Sequence, residues 1–154
     1  MNEIKAQIIR HLESGEAFMP LLDMIDEAPF GILGKRPHGL PYSIYEQFYH
    51  IVYAQKDILD FCVADTYEAP TWPADYWPAA QAPADEGEWQ DLKQQYRRHR
   101  DALSAFAKET QLESIVKHGD RQSALRELLL VIEHTAYHTG QILILLRLQG
   151  AHSS

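Results

Sequence analysis

Apolar residues recur at steps of three and four along four stretches of the chain, and that period predicts four helices. The first covers about residues 3–26, where Ile4, Ile8, His11, Gly15, Phe18, Leu22 and Ile25 share a face. On that face His11 points inward and is expected to be a buried, hydrogen-bonded ring. Pro20 interrupts the pattern, which predicts a kink or a restart near Phe18, because proline lacks the N–H the helix needs. Three prolines and three glycines between Glu27 and Pro41 predict a loop. Ser43-Ile44-Tyr45-Glu46 then has the form of a capping box, with Ser43 at N-cap and Glu46 reaching back. The helix it opens runs to about Ala64, with Ile44, Phe48, Ile51, Ile58 and Phe61 inward.

After Asp65 the pattern breaks into an aromatic, proline-rich run from Pro70 to Pro83 that no continuous helix or central strand accommodates. Trp72 and Trp77 are costly to leave in water, so this run is expected to lie against the body, as a packed connection or a pocket wall. A third helix follows from about Glu86 to Lys108, capped by Asp85, with Trp89, Leu92, Tyr96, His99, Leu103 and Phe106 inward. Its basic run Arg97-Arg98-His99-Arg100 reads as a solvated face. Leu112, Ile115 and Val116 pack as a short turn. The fourth helix, about Gln122 to Arg147, takes Asp120 or Ser123 as its cap and Gly150 as its terminal glycine. No strand pattern occurs. The expectation is an all-α four-helix bundle with long connections after helix 1 and helix 2, forming a single domain over residues 1–154.

Composition narrows the function classes. The chain has 154 residues, of which 45% are hydrophobic and 23% charged, as in ordinary globular domains. Its formal net charge of −8 repels phosphate, which argues against nucleic acid and against anionic membranes as partners. No apolar run approaches the roughly 20 residues of a membrane span. The polar start Asn2-Glu3-Ile4-Lys5 lacks the apolar core of a signal peptide, and one cysteine cannot make an internal disulfide. Both point to the cytoplasm. That cysteine, Cys62, is expected to be a buried hydrophobe. Eight histidines are the compositional oddity.

Two of those histidines carry the candidate chemistry. His134 and His138 lie four residues apart on the fourth helix, so their rings share one face, one turn apart. Such a pair can share a transition-metal ion, and His50 on the second helix is the best third ligand. Three neutral imidazoles suit zinc, nickel, copper or iron and leave coordination positions open, an arrangement more typical of catalytic than of structural sites. Neutral rings imply that affinity falls as pH drops through about 6–6.5. Gln141, one turn past His138, could orient a bound water or a ligand ring. Glu46 and Asp57 are the nearest carboxylates by angle. Gly140 in mid-helix costs about 1 kcal/mol relative to alanine, which close packing would explain. Thr135 stands where an HExxH protease needs glutamate, and no CxxC pair or phosphate-cradling glycine loop occurs.

His50, followed far along by His134-Thr135-Ala136-Tyr137-His138-Thr139-Gly140-Gln141-Ile142, resembles the DinB/YfiT-like superfamily. So do Leu40-Pro41-Tyr42-Ser43-Ile44-Tyr45-Glu46, the Trp72-Pro73 to Trp77-Pro78 loop and the ending Leu146-Arg147-Leu148-Gln149-Gly150-Ala151. The resemblance spans nearly the whole chain. It implies a single DinB-like four-helix bundle with His50, His134 and His138 as ligands of a divalent metal, zinc or nickel ahead of iron. It also implies a homodimer. Some members of the superfamily are S-transferases using low-molecular-weight thiols such as bacillithiol or mycothiol, and others are called metal-dependent hydrolases. Two departures bear on substrate: Tyr137 replaces a frequent second histidine, and a histidine common near Phe18 is missing.

Two readings follow. In one the protein is a metal-dependent enzyme, a thiol S-transferase or hydrolase acting on small molecules. In the other it is a non-catalytic metal-binding stress-response protein, since the sequence supplies no clear general base beside the histidines.

Overall fold

The computed structural model describes residues 2–152, so the expected domain limits at Met1, Ser153 and Ser154 lie outside the described residues. Five α-helices, three short 3-10 turns and one isolated bridge between Ile115 and Ser123 make the described chain all-α, with no strand. The helices are α1 (Glu3–Glu13), α2 (Leu21–Asp26), α3 (Ile44–Val63), α4 (Glu86–Glu109) and α5 (Ala124–Leu148).

The expected first helix is two. Asn2 caps α1 by accepting from the Lys5 N–H, and α1 ends at Ser14. Gly15 then turns the chain with φ +71°, a conformation open to glycine at little steric cost, and α2 restarts after Pro20. The face differs too. Ile8, Ile9 and Leu12 are buried, whereas Ile4 and His11 are exposed and His11 merely bonds the Gln7 carbonyl at 2.9 Å. The inward stripe follows 8, 9 and 12, displaced around the helix from the expected one.

Sequence signals fared better at the other ends. Ser43 and Glu46 form the complete capping box at α3, and Asp85 caps α4. Ser123, not Asp120, caps α5. At the far end Gly150 has φ +68°, and the Ala151 and Gly150 N–H groups bond Leu146 and Arg147 carbonyls at 2.9 and 3.1 Å, the double closure of a Schellman motif. The segment after α4 buries Leu112 and Val116 but leaves Ile115 exposed.

Helix α3 lies along α5, and α1 lies along α4. The core has two main apolar clusters. One joins α2, α3, the start of α4 and the end of α5 through Met24, Phe48, Trp89 and Ile142. The other joins α1, the end of α4 and the start of α5 through Leu12, Leu103, Leu128 and Val131. Between Val131 and Ile142 on α5, and between Tyr96 and Leu103 on α4, sits a belt of buried polar side chains: Thr135, His138, Thr139 and Arg100. Burying such groups costs free energy unless each finds a partner, so this belt is where chemistry is expected.

An 18-residue window of α5 reaches mean hydropathy 1.2, so by length and composition this helix is apolar enough to cross a membrane, contrary to the sequence expectation. Its place explains the composition: α5 touches α1, α2, α3 and α4 and contributes to both clusters. The long connection from Ala64 to Asp85 crosses the structure and is pinned near its end. Gln81 accepts from Ser43 Oγ at 2.7 Å and donates to the Gly34 carbonyl at 2.6 Å. At Gly34 a Cβ would overlap Ala82, so glycine is what permits this crossing.

Candidate metal centre

His50 projects from α3 and His134 and His138 from α5, where the two helices run side by side. One nitrogen from each ring lies within 4.8 Å of the others, and no other described group of three histidine, cysteine or acidic side chains converges in this way. The Nε2 atoms of His50 and His134 are 2.9 Å apart. The ring centres are 4.5–4.8 Å from one another.

The opposite edges of two rings are held. His50 Nδ1–H donates to the Tyr76 carbonyl at 3.1 Å, and His138 Nδ1–H donates to Gln47 Oε1 at 2.6 Å. Each bond leaves Nε2 unprotonated, the arrangement that partners of metal-binding histidines impose, and His50 Nε2 accepts from His134 Nε2–H. Gln47 is fully buried and donates onward to Gln141 Oε1 at 2.7 Å. Gln141 therefore acts on His138 through Gln47 rather than on a ligand directly.

Burial disfavours the charged imidazolium in all three rings. It lowers His50 below its ordinary value, despite the opposing bond to Tyr76. Burial, then the neighbouring His50 and Arg100, bring His134 to about 4; burial, then His134 and His50, bring His138 to about 3. The rings are thus neutral at pH 7, and His134 and His138 stay so well below the 6–6.5 range expected from sequence. Neutral, convergent and oriented nitrogens fit a transition-metal ion.

The aromatic run forms one wall. Trp77 stacks on His50 with centroids 4.1 Å apart and planes 4° from parallel. Trp72, expected to be packed away, is 67% exposed and stands 6.2 Å from the same ring. Tyr137, also 67% exposed, meets His138 edge-on at 4.9 Å. Two exposed aromatic rings thus flank the triad.

The predicted carboxylates are placed elsewhere. Glu46 accepts from the Ser43 N–H at 2.7 Å and pairs with Arg36, because its position in the first turn of α3 commits it to the cap. Asp57 accepts from Tyr76 at 2.6 Å and Tyr67 at 2.9 Å, so it braces the residue whose carbonyl orients His50 and touches no histidine itself. Cys62 is buried against Val116 and Ala124, and burial, with Glu127 nearby, pushes its thiol up to about 12. His118 bonds the Ala64 carbonyl, away from the triad. No packing explains Gly140, since a Cβ there would meet nothing within 4 Å.

Residues 16–142 match the DinB superfamily. The chain belongs to that superfamily. No curated protein and no solved structure gives a match. In this DinB protein, sequence reasoning missed Gln47, the Tyr76 carbonyl and Arg100. Gln47 lies three residues before His50 on α3, a spacing that places both on one helix face and could have drawn attention to it. A backbone carbonyl leaves no trace in sequence.

Proposed function

We propose that His50, His134 and His138 hold one divalent transition metal, zinc or nickel ahead of iron, and that the protein is a metal-dependent enzyme acting on small molecules. The observation that carries this reading is the convergence of three neutral imidazoles, two with their outer nitrogens tied back. A divalent ion held there supplies Lewis acidity to a thiol or a water molecule. The protein's part is orientation and access. Gln141 and Gln47 fix the His138 ring, Tyr76 fixes the His50 ring, and Trp77 covers one face of it. Trp72 and Tyr137 offer apolar faces to a small organic substrate at the mouth. This arrangement supports a thiol S-transferase using a low-molecular-weight thiol, or a hydrolase.

A second reading, a non-catalytic metal-binding stress-response protein, is favoured by one observation: Glu46 and Asp57 are engaged elsewhere, and neither is hydrogen-bonded to a triad ring. Turnover separates the two. Metal-loaded protein given a thiol and an alkyl electrophile, or a panel of chromogenic esters and amides, is expected to consume substrate, and the His50→Ala variant is expected not to. Stoichiometric metal with no turnover of either panel would favour the second reading. No bound metal would remove both.

The same proposal includes a four-helix bundle arrangement, a single domain over residues 1–154, a cytoplasmic location and a homodimer, with no nucleic-acid or membrane partner. For the dimer the support is an outward stripe on α5 formed by exposed Leu129, Ile144 and Leu148, with exposed Gly140 among them. A glycine on such a face lets a second helix approach closely.

A further inference from the structure

A cavity of about 610 Å³ lies on the side of the protein bounded by the α1–α2 turn, α4 and α5, and none of the triad histidines lines it. Its volume is in the range of small-molecule sites. Leu12, Phe18, Leu21, Leu22, Ile132 and Ala136 give it a largely apolar wall. Arg100 lines it too, and Arg100 is only 6% exposed.

A buried guanidinium normally has an acidic partner, because an uncompensated buried charge is costly. Arg100 makes no ion pair among the described residues. Its one hydrogen bond is a 2.7 Å donation to Thr135 Oγ1, and Nε is buried with no partner at all. The Tyr96 ring, 5.0 Å from the guanidinium carbon, offers partial compensation through its π face. The hydroxyl and the ring are both neutral, so the charge itself is unmatched.

We propose that this cavity is a binding site for a small monocarboxylate with an apolar body, its carboxylate paired with Arg100. One guanidinium matches one carboxylate in charge and in fork geometry. Glu13, Glu16 and Asp23 also line the cavity from exposed positions; their charges oppose any anion, and oppose a dianion such as a phosphate monoester more than a monocarboxylate on the buried Arg100. The apolar wall takes the hydrocarbon part. No triad histidine lines the cavity, although Arg100 and Thr135 adjoin His134, and the proposal does not require the histidines to bind metal.

Octanoate is a suitable probe, titrated calorimetrically into the full chain, with octylamine, octanol and octyl phosphate as comparisons. Octanoate is expected to bind saturably and more tightly than the other three. Arg100→Met is expected to weaken octanoate by about tenfold or more, the effect of a lost charged hydrogen bond, while leaving octanol unchanged. Ala136→Phe, which fills the cavity from its α5 wall and keeps the Arg100 side chain, is expected to weaken both. His50→Ala is expected to leave octanoate binding unchanged, which separates this cavity from coordination at the triad. Failure of octanoate to bind, tighter binding of octyl phosphate, octylamine or octanol, equal octanoate binding by folded Arg100→Met, or loss in folded His50→Ala would each overturn the proposal.

Discussion

Toward α3, helix α5 presents His134 and His138 to a nearly closed set of partners. His138 bonds Gln47, Gln47 bonds Gln141, and His50 bonds the Tyr76 carbonyl. Toward α4, the same helix presents Thr135 to Arg100, and there the accounting stays open: the guanidinium has one bond, an orphaned Nε and no counter-charge. Thr135 follows His134 directly, so the two regimes meet at adjacent residues. An unsatisfied buried polar group costs about 1–3 kcal/mol, so the closed side gains rigidity from its bonds while the open side spends stability. A fold carries such a debit most readily where an outside group completes the set.

The largest test breaks the closed side. Replacing His50, His134 or His138 with alanine should reduce bound metal to a small fraction by elemental analysis, whereas His99→Ala and His118→Ala should leave it unchanged. If all five variants retained metal equally, the triad would not be the site. Gln47→Leu is subtler. It removes the bond that orients His138 and strands Gln141, so metal affinity in a competition assay should fall about 10–100-fold with helical content intact. Gln141→Leu should cost less, since Gln47 can still accept from His138.

Acid distinguishes the sides without mutation. Folded His134 titrates at about 4 and His138 at about 3, whereas an unfolded ring titrates near about 6.5. Below about pH 6.5 the unfolded chain holds protons that the folded chain does not. Stability of the metal-free protein should therefore be full above that point and fall as pH drops toward the folded values. The slope is at most about 1.4 kcal/mol per ring per pH unit, less for the half-buried His134. Denaturant midpoints between pH 7 and 4 measure it, and a flat profile would contradict the buried neutral rings. The smallest effect belongs to the open side: Arg100→Met should leave the melting temperature unchanged or slightly higher, because it removes an unpaired buried charge and keeps apolar volume. A large loss would show Arg100 to be a structural tie.

These contrasts also explain what could be read from the chain. The rings of His50, His134 and His138 come together as their helical spacing and the family pattern implied. The caps of α3 and α4 were legible because each is a local contest among four residues. The inward face of α1 was not, since Ile4 and Ile8 fit one stripe as well as Ile8 and Leu12 fit another, and only packing against α4 decides. Arg100 was hidden in a basic run whose first two members, Arg97 and Arg98, are indeed exposed. Gln47 depends on how α3 sits against α5, which no local window contains. Glu46 and Asp57 had suitable angles, but angle does not say that a cap or a pair of tyrosines has already claimed the carboxylate.

The carbonyl that orients His50 belongs to Tyr76, which ends a short 3-10 turn (Ala74–Tyr76) in the aromatic run between α3 and α4, and not to an α-helix. Loop position and ring tautomer are therefore a single linked equilibrium. Whatever draws the loop away from α3 releases the His50 Nδ1–H, and whatever occupies Nε2 favours the seated loop. Linkage makes the effect equal in both directions, and a hydrogen bond worth about 1 kcal/mol limits it to roughly a fivefold change in affinity. A substrate that rearranged Trp72 or Trp77 would tune the triad by that modest factor from outside it.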